Sequence, residues 1–301
     1  MLPGMRRLPA LLLVLVVVSC AKETAEKPAT ETVAAADTAG DTAAYENDIK
    51  AWQTNRIERL KKEDSWLTLV GLDWLKEGDN SAPAGTVSLA GGKVTYNPTE
   101  DATIDGKPVS GSVSLLADAD EGGPTIVSTG TKQFNVIKRG DRFGLRIKDS
   151  QAPTRLNFAG LDYFPIDPKW RVEARLEAYH PPKQVPITDV TGMTSNNISP
   201  GALVFEVDGK EYRVDPIIEE GSDEFFIIFK DETSRDATYP AGRYLYAKKP
   251  GTDGKVIVDF NKAYNPPCVF TPYATCPLPP SQNRLAVRIE AGEKKYMGKH
   301  S

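Results

Sequence analysis

From Ser65 onward, apolar residues fall in short runs separated by turn-forming residues. Trp170, Val172, Ala174, Leu176 and Ala178 alternate with Arg171, Glu173, Arg175, Glu177 and Tyr179. That period of two places one side of a strand in a core and the other in water. EFFIIF (224–229) is apolar nearly throughout and predicts a strand buried on both faces, as does SWLTLVGLDWL from Ser65. RYLYA, KVIVDF and RLAVRIEA predict further strands. Gly91-Gly92, Asp105-Gly106, Arg139-Gly140-Asp141 and Asp208-Gly209 divide neighbouring runs, and such residues accept the backbone of a hairpin turn. No helical run lies between the strands, so the sheets are expected to be antiparallel rather than built from βαβ units. The exception precedes them. Ile49, Trp52, Ile57 and Leu60 fall near helical spacing within 48–62 and predict one N-terminal helix. The expected fold is mainly β: an antiparallel sandwich or barrel-like sheets with one N-terminal helix. A change of block near residues 150–165 divides it into two β subdomains, 45–155 and 156–301.

The first 44 residues follow another pattern. Arg6 and Arg7 precede an unbroken apolar run from Leu11 to Val18, far shorter than the ~20 residues of a membrane-spanning helix and suited to a signal-peptide core. The run ends in Val17-Val18-Ser19-Cys20, which resembles the lipobox of bacterial lipoproteins. Residues 1–19 are therefore expected to be a lipoprotein signal peptide, with Cys20 the lipidated first residue of the mature chain. Acyl chains on that cysteine would hold the protein to a membrane, because each buried methylene contributes ~0.8 kcal/mol. Ala21 stands where an aspartate would favour inner-membrane retention, so the expected address is the outer membrane, facing the periplasm. Residues 20–44 are rich in Ala, Thr, Glu and Asp and predict a disordered linker.

Charge narrows the partners. Without Arg6 and Arg7 the 37 basic residues become 35 against 41 acidic, a net charge of −6. An acidic chain is a poor binder of nucleic acid and of anionic lipid headgroups. The membrane is expected as a partner only through Cys20. Cys268 and Cys276 form an isolated pair, and in an oxidising compartment the expectation is a disulfide. A tetrahedral zinc site is the rival, but it needs two more ligands and the chain has only His180 and His300 to add as histidines.

SWLTLVGLDWLKEGDN, RFGLRIKD, FAGLDYFPIDPKWRVEARLE, GRYLYA and VDFNKAYNPPCVFTPYATCPLPPSQNRLAVRIEAGEK together resemble the family of domain of unknown function 1684. The resemblance runs over residues 45–296. It implies no activity. The Gly-Arg and Ser-x-x-His signature of forkhead-associated phosphopeptide modules is absent, so that function is not carried over.

The stretch with most chemistry is DFNKAYNPPC, which follows the strand KVIVDF and is stiffened by Pro266 and Pro267. Asp259, Asn261, Tyr264 and Asn265 sit there as candidates for a polar pocket holding a sugar or peptide fragment. The same groups equally suit hydrogen bonds to turn backbone. Asp231 and Arg243 are candidates for the same pocket, or for a buried ion pair. Arg171 and Glu173 complete the set, although a solvated sheet face accounts for them as well. Phosphate loops, dinucleotide fingerprints, EF-hand loops and a nucleophile elbow are absent, and no cofactor is expected. Whether the protein is an enzyme stays open at this stage. One reading is an envelope protein binding a small polar ligand or a protein partner. The other is a cofactor-independent hydrolase using Asp259, Tyr264 and Glu173.

Overall fold

A helix that must cover a β core needs one apolar stripe, and the N-terminal helix has it in Ile49 and Leu60, both buried. A computed structural model describes residues 39–298 of the chain. The expected signal segment, Cys20, most of the expected linker and His300 lie outside the described residues. The helix spans Ala39–Lys61 and so begins well ahead of Asp48. Ala43 and Ala44 are strong helix formers, and the Tyr45 hydroxyl is anchored on Asp259 at 2.9 Å. Residues 39–44 are therefore helical where linker was expected.

The chain is mainly β and antiparallel. In the N-terminal half, a six-stranded sheet is ordered Leu69–Trp74, Arg142–Asp149, Lys132–Arg139, Val127–Thr129, Thr103–Ile104, Lys107–Pro108. A four-stranded sheet of Gly78–Ala82, Gly85–Ala90, Lys93–Pro98 and Val113–Leu115 packs against it. Val87, Tyr96, Val127, Phe134, Val136 and Leu145 fill the space between. In the C-terminal half, a sheet of Lys210–Val214, Thr194–Val207, Arg171–Thr188 and Lys255–Asp259 meets a sheet of Ile217–Ile218, Glu224–Phe229 and Arg243–Lys248. Their core is Leu203, Phe205, Ile227, Phe229, Leu245, Val258 and Phe260.

The hairpin turns fall where the glycine pairs put them: Ala90 pairs Lys93, Ile104 pairs Lys107, Arg139 pairs Arg142 and Val207 pairs Lys210. Asp208 and Gly209 both have positive φ, as that turn requires. EFFIIF is buried along its length. In the Arg171–Thr188 strand, Val172 and Ala174 face the core while Arg171, Glu173 and Arg175 face water.

RLAVRIEA is not a strand. Leu285, Ile289 and Ala291 are buried as a strand pattern demands, but the segment has only the isolated bridge from Lys230 to Arg284. The same-side carbonyls of Ile289, Ala291 and Glu293 instead accept from the Arg243 guanidinium. An extended chain whose carbonyls are capped by a buried arginine has no need of a neighbouring strand on that edge. Gly292, with φ +74°, lets this segment close on the Ala263 carbonyl, where a Cβ would collide.

Candidate functional site

The helix, the two β halves and the Cys268–Cys276 loop converge on one cleft of about 790 Å³. The helix contributes Trp52, Arg56 and Arg59, and the short 3₁₀ turn Trp66–Thr68 contributes Trp66. Adjacent strands of the six-stranded sheet bring Arg139 and Arg146. Tyr244 and Tyr246 come from the strand Arg243–Lys248, and Tyr264 from the loop after Lys255–Asp259. The disulfide joins Cys268 and Cys276 and closes a loop that presents Thr275, Cys276 and Pro277 to the cleft.

Aromatic rings make its apolar side. Phe226 and Tyr246 stack with centroids 5.0 Å apart, and Tyr246 stacks on Tyr264 at 6.3 Å with planes 11° apart. The Arg56 guanidinium lies 4.8 Å from the Tyr264 ring centre. Burial, followed by the neighbouring Tyr246, raises the Tyr264 phenol well above its ordinary range, so it is neutral at physiological pH. Burial and then Glu219 raise Tyr246, whose hydroxyl donates to the Glu219 carboxylate at 3.0 Å.

The cations of the cleft are held unequally. Arg56 is paired with Glu293 at 2.9 Å and donates to the Asn265 carbonyl. Arg139 is paired with Asp118 at 2.8 Å and donates to Thr275. Lys262 is paired with Asp48 at 2.8 Å. Arg59 and Arg146 have no carboxylate within ion-pair distance among the described residues. Arg146 rests on Trp66, 5.2 Å from the ring centre, and its Nε is buried with no hydrogen-bond partner. Burial, then the neighbouring Arg139, lowers its pKa to about 10.

Of the candidate residues read from sequence, only Tyr264 lines this cleft. Asp259 accepts from the Tyr45 hydroxyl and caps the 3₁₀ turn Phe260–Lys262 through the Asn261 amide. Asn261 donates to Tyr45 and to the Asp167 carbonyl, both at 2.9 Å. Asn265 donates its amide to Glu293 at 2.7 Å and its side-chain nitrogen to the Lys294 carbonyl. Asp231 and Arg243 form a buried pair at 3.2 Å; Asp231 also caps the turn Glu232–Arg235 and accepts from the Ile289 amide. Arg171 and Glu173 lie on the exposed sheet face, with Glu173 paired to Lys255 at 2.7 Å. Asp259, Glu173 and Tyr264 are thus not brought together at one point.

Sequence reading missed Arg56, Arg146, Tyr246 and the fully buried Glu293. Arg146 lies in RFGLRIKD opposite Leu145 and Ile147, where alternation reads as a solvated face. Nothing local marks that face as covered. No group of three or more His, Cys, Asp or Glu that could hold a metal is found among the described residues.

Fold and cleft define a mainly β domain with a concavity lined by aromatic rings and cationic side chains. The profile of the family described as "Protein of unknown function (DUF1684)" matches residues 156–294. The solution NMR structure of an uncharacterized protein of Haloarcula marismortui is similar to this chain at 31% identity, over 46% of this chain and 78% of that one, with a TM-score of 0.40. Residues 156–294 belong to the DUF1684 family. No curated protein matches it.

Proposed function

We propose that this protein is a lipid-anchored protein of the cell envelope, held by Cys20 in the outer membrane and facing the periplasm, whose cleft binds a small polar ligand. The sequence Val17-Val18-Ser19-Cys20 after a short apolar run supports the address. The binding reading rests on one observation: elements far apart in sequence converge on a cleft of about 790 Å³. That is within the size of small-molecule sites, and its mixture of aromatic surface with a few polar groups is what such sites use. Binding accounts for these features better than hydrolysis does. The carboxylates expected to act as catalysts, Asp259 and Glu173, are placed outside the cleft, and the Tyr264 phenol keeps its proton.

Both parts are tested on the protein expressed in a Gram-negative host. Wild type should fractionate with the outer membrane and incorporate labelled palmitate, and Cys20→Ala should do neither. Equal membrane association of the two would overturn the anchor. For the cleft, a collection of small polar compounds is scored by thermal shift and by tryptophan fluorescence, which reports Trp52 and Trp66 in its wall. A hit should be lost in Thr275→Trp, which fills the cleft. A hit that survives that substitution places binding elsewhere.

A further inference from the structure

A guanidinium brought out of water is ordinarily matched by a carboxylate, because an unmatched buried charge is destabilising. Arg146 breaks that rule. It is partly covered by the walls of the cleft, its Nε is buried without a partner, and the neighbouring charge is a second cation, Arg139. Asp118, the carboxylate that acts on it, is already bound to Arg139 at 2.8 Å. Trp66, 5.2 Å away, offers the face of an aromatic ring and not an acceptor in the plane of the guanidinium.

The rest of the cleft leaves Arg146 unmatched. Its lining carries Arg56, Arg59, Arg139, Arg146 and Lys262 against Glu219 and Glu224, although the whole chain is acidic at −4. Arg56, Arg139 and Lys262 are neutralised by Glu293, Asp118 and Asp48. Glu219 is held by the Tyr246 hydroxyl. Among the described residues, the lining charges left without an ion-pair partner are Arg146 and Arg59 against Glu219 and Glu224, and both glutamates lie by Tyr246 rather than within ion-pair distance of Arg146. A guanidinium fork matches the oxygen spacing of a carboxylate or a phosphate, and the match is strongest where water is thinned out.

We propose that the ligand of this cleft is a small soluble organic anion, bearing a carboxylate or phosphate that pairs with Arg146, with an apolar body against the aromatic wall. This rests on the cleft being the binding site and adds the chemical class of what fills it. Arg59, at the exposed rim, attracts the anion and supplies a second positive contact. The Phe226–Tyr246–Tyr264 stack and Trp66 provide the surface for the apolar body. An isolated inorganic anion makes no use of that surface and should bind more weakly.

The test titrates the purified protein with phenyl phosphate, benzoate, inorganic phosphate and the neutral phenyl glucoside, following tryptophan fluorescence and melting temperature. At least one aromatic anion should bind, more tightly than inorganic phosphate and than the glucoside, with an affinity that falls as salt is added. Arg146→Gln should weaken that anion about 10- to 100-fold, the range of a lost charge-assisted hydrogen bond. Arg146→Lys, which keeps the charge and loses the fork, should fall between the two. Arg146→Gln should also melt no lower than wild type, which a residue kept for structure would not allow. If the glucoside binds as well as the anions and Arg146→Gln changes nothing, the anion assignment is wrong and the cleft still binds ligand. If no probe perturbs the tryptophans or the melting temperature, the cleft reading falls and the anion assignment with it.

Discussion

Arg243 and Arg146 are both drawn out of water, and their surroundings are opposite. Arg243, 1% exposed, sits between the C-terminal sheets with a full set of acceptors: Asp231 and the carbonyls of Ile289, Ala291 and Glu293. Only its Nε lacks one. Arg146 stands in the cleft with an aromatic ring below it, a second arginine beside it and no carboxylate within reach. Burial lowers the pKa of both. At Arg243 the Asp231 carboxylate opposes the shift, whereas at Arg146 Arg139 adds to it. The comparison separates two uses of one residue type. Arg243 fastens the chain end to the core, because its fork replaces the strand that Ile289–Glu293 does not have. Arg146 contributes nothing comparable to folding, and a charge left unmatched is available to a ligand.

The sharpest way to break this contrast is to remove both side chains in turn. Arg243→Met should destabilise the protein by about 3–5 kcal/mol, since it strands a buried aspartate and orphans three carbonyls. Denaturant unfolding measures it, and a loss below about 1 kcal/mol would show that the C-terminal segment does not depend on the arginine. A smaller effect is expected at Tyr45, where the helix reaches across to the Asp259–Asn261 turn. Tyr45→Phe should lower stability by about 1–2 kcal/mol, because Asp259 and Asn261 keep other partners. An unchanged midpoint would mean the start of the helix is not held there.

The smallest effect has the opposite sign. Arg146→Met should raise stability near pH 7 by about 1 kcal/mol, since it removes an uncompensated charge that solvent only partly screens. The pH dependence follows from linkage. The folded pKa of about 10 lies below the ordinary range of an arginine, so between the two the unfolded chain binds more protons. Stability of wild type relative to Arg146→Met therefore rises through that window, and the advantage of the variant shrinks above about pH 10. An advantage that widens with pH would contradict the placement of Arg146.

Much of the architecture was legible because it is local. The alternation in Arg171–Thr188, the apolar run in Glu224–Phe229 and the glycine turns at Gly91 and Asp208-Gly209 each depend on a few neighbours, and each is found as expected. RLAVRIEA has the same alternation and buries the same kind of side chain, yet it is not a strand. Its hydrogen-bond partners include the Arg243 guanidinium and the backbone of Lys230 and Glu232, all more than forty positions away, and periodicity carries no record of them. The DFNKAYNPPC segment was recognised as rich in polar groups. Which of the two readings applied to each group was decided by what lay opposite: Tyr45 for Asp259 and Asn261, Glu293 for Asn265, and the open cleft for Tyr264.

By itself the sequence determined the mainly β character, the N-terminal helix and the hairpin turns, because side-chain period and backbone preference act between residues a few positions apart. The Cys268–Cys276 pair is expected as a disulfide on compartment grounds with zinc as the rival, and the disulfide is what the structure has. Tertiary structure alone decided that Arg146 differs from Arg171, although both alternate with apolar residues along a strand. One face remains in water and the other is roofed by the helix and the disulfide loop. Periodicity states which side of a strand is polar; what covers that side depends on the packing of distant segments, and the charge balance of the cleft is set there.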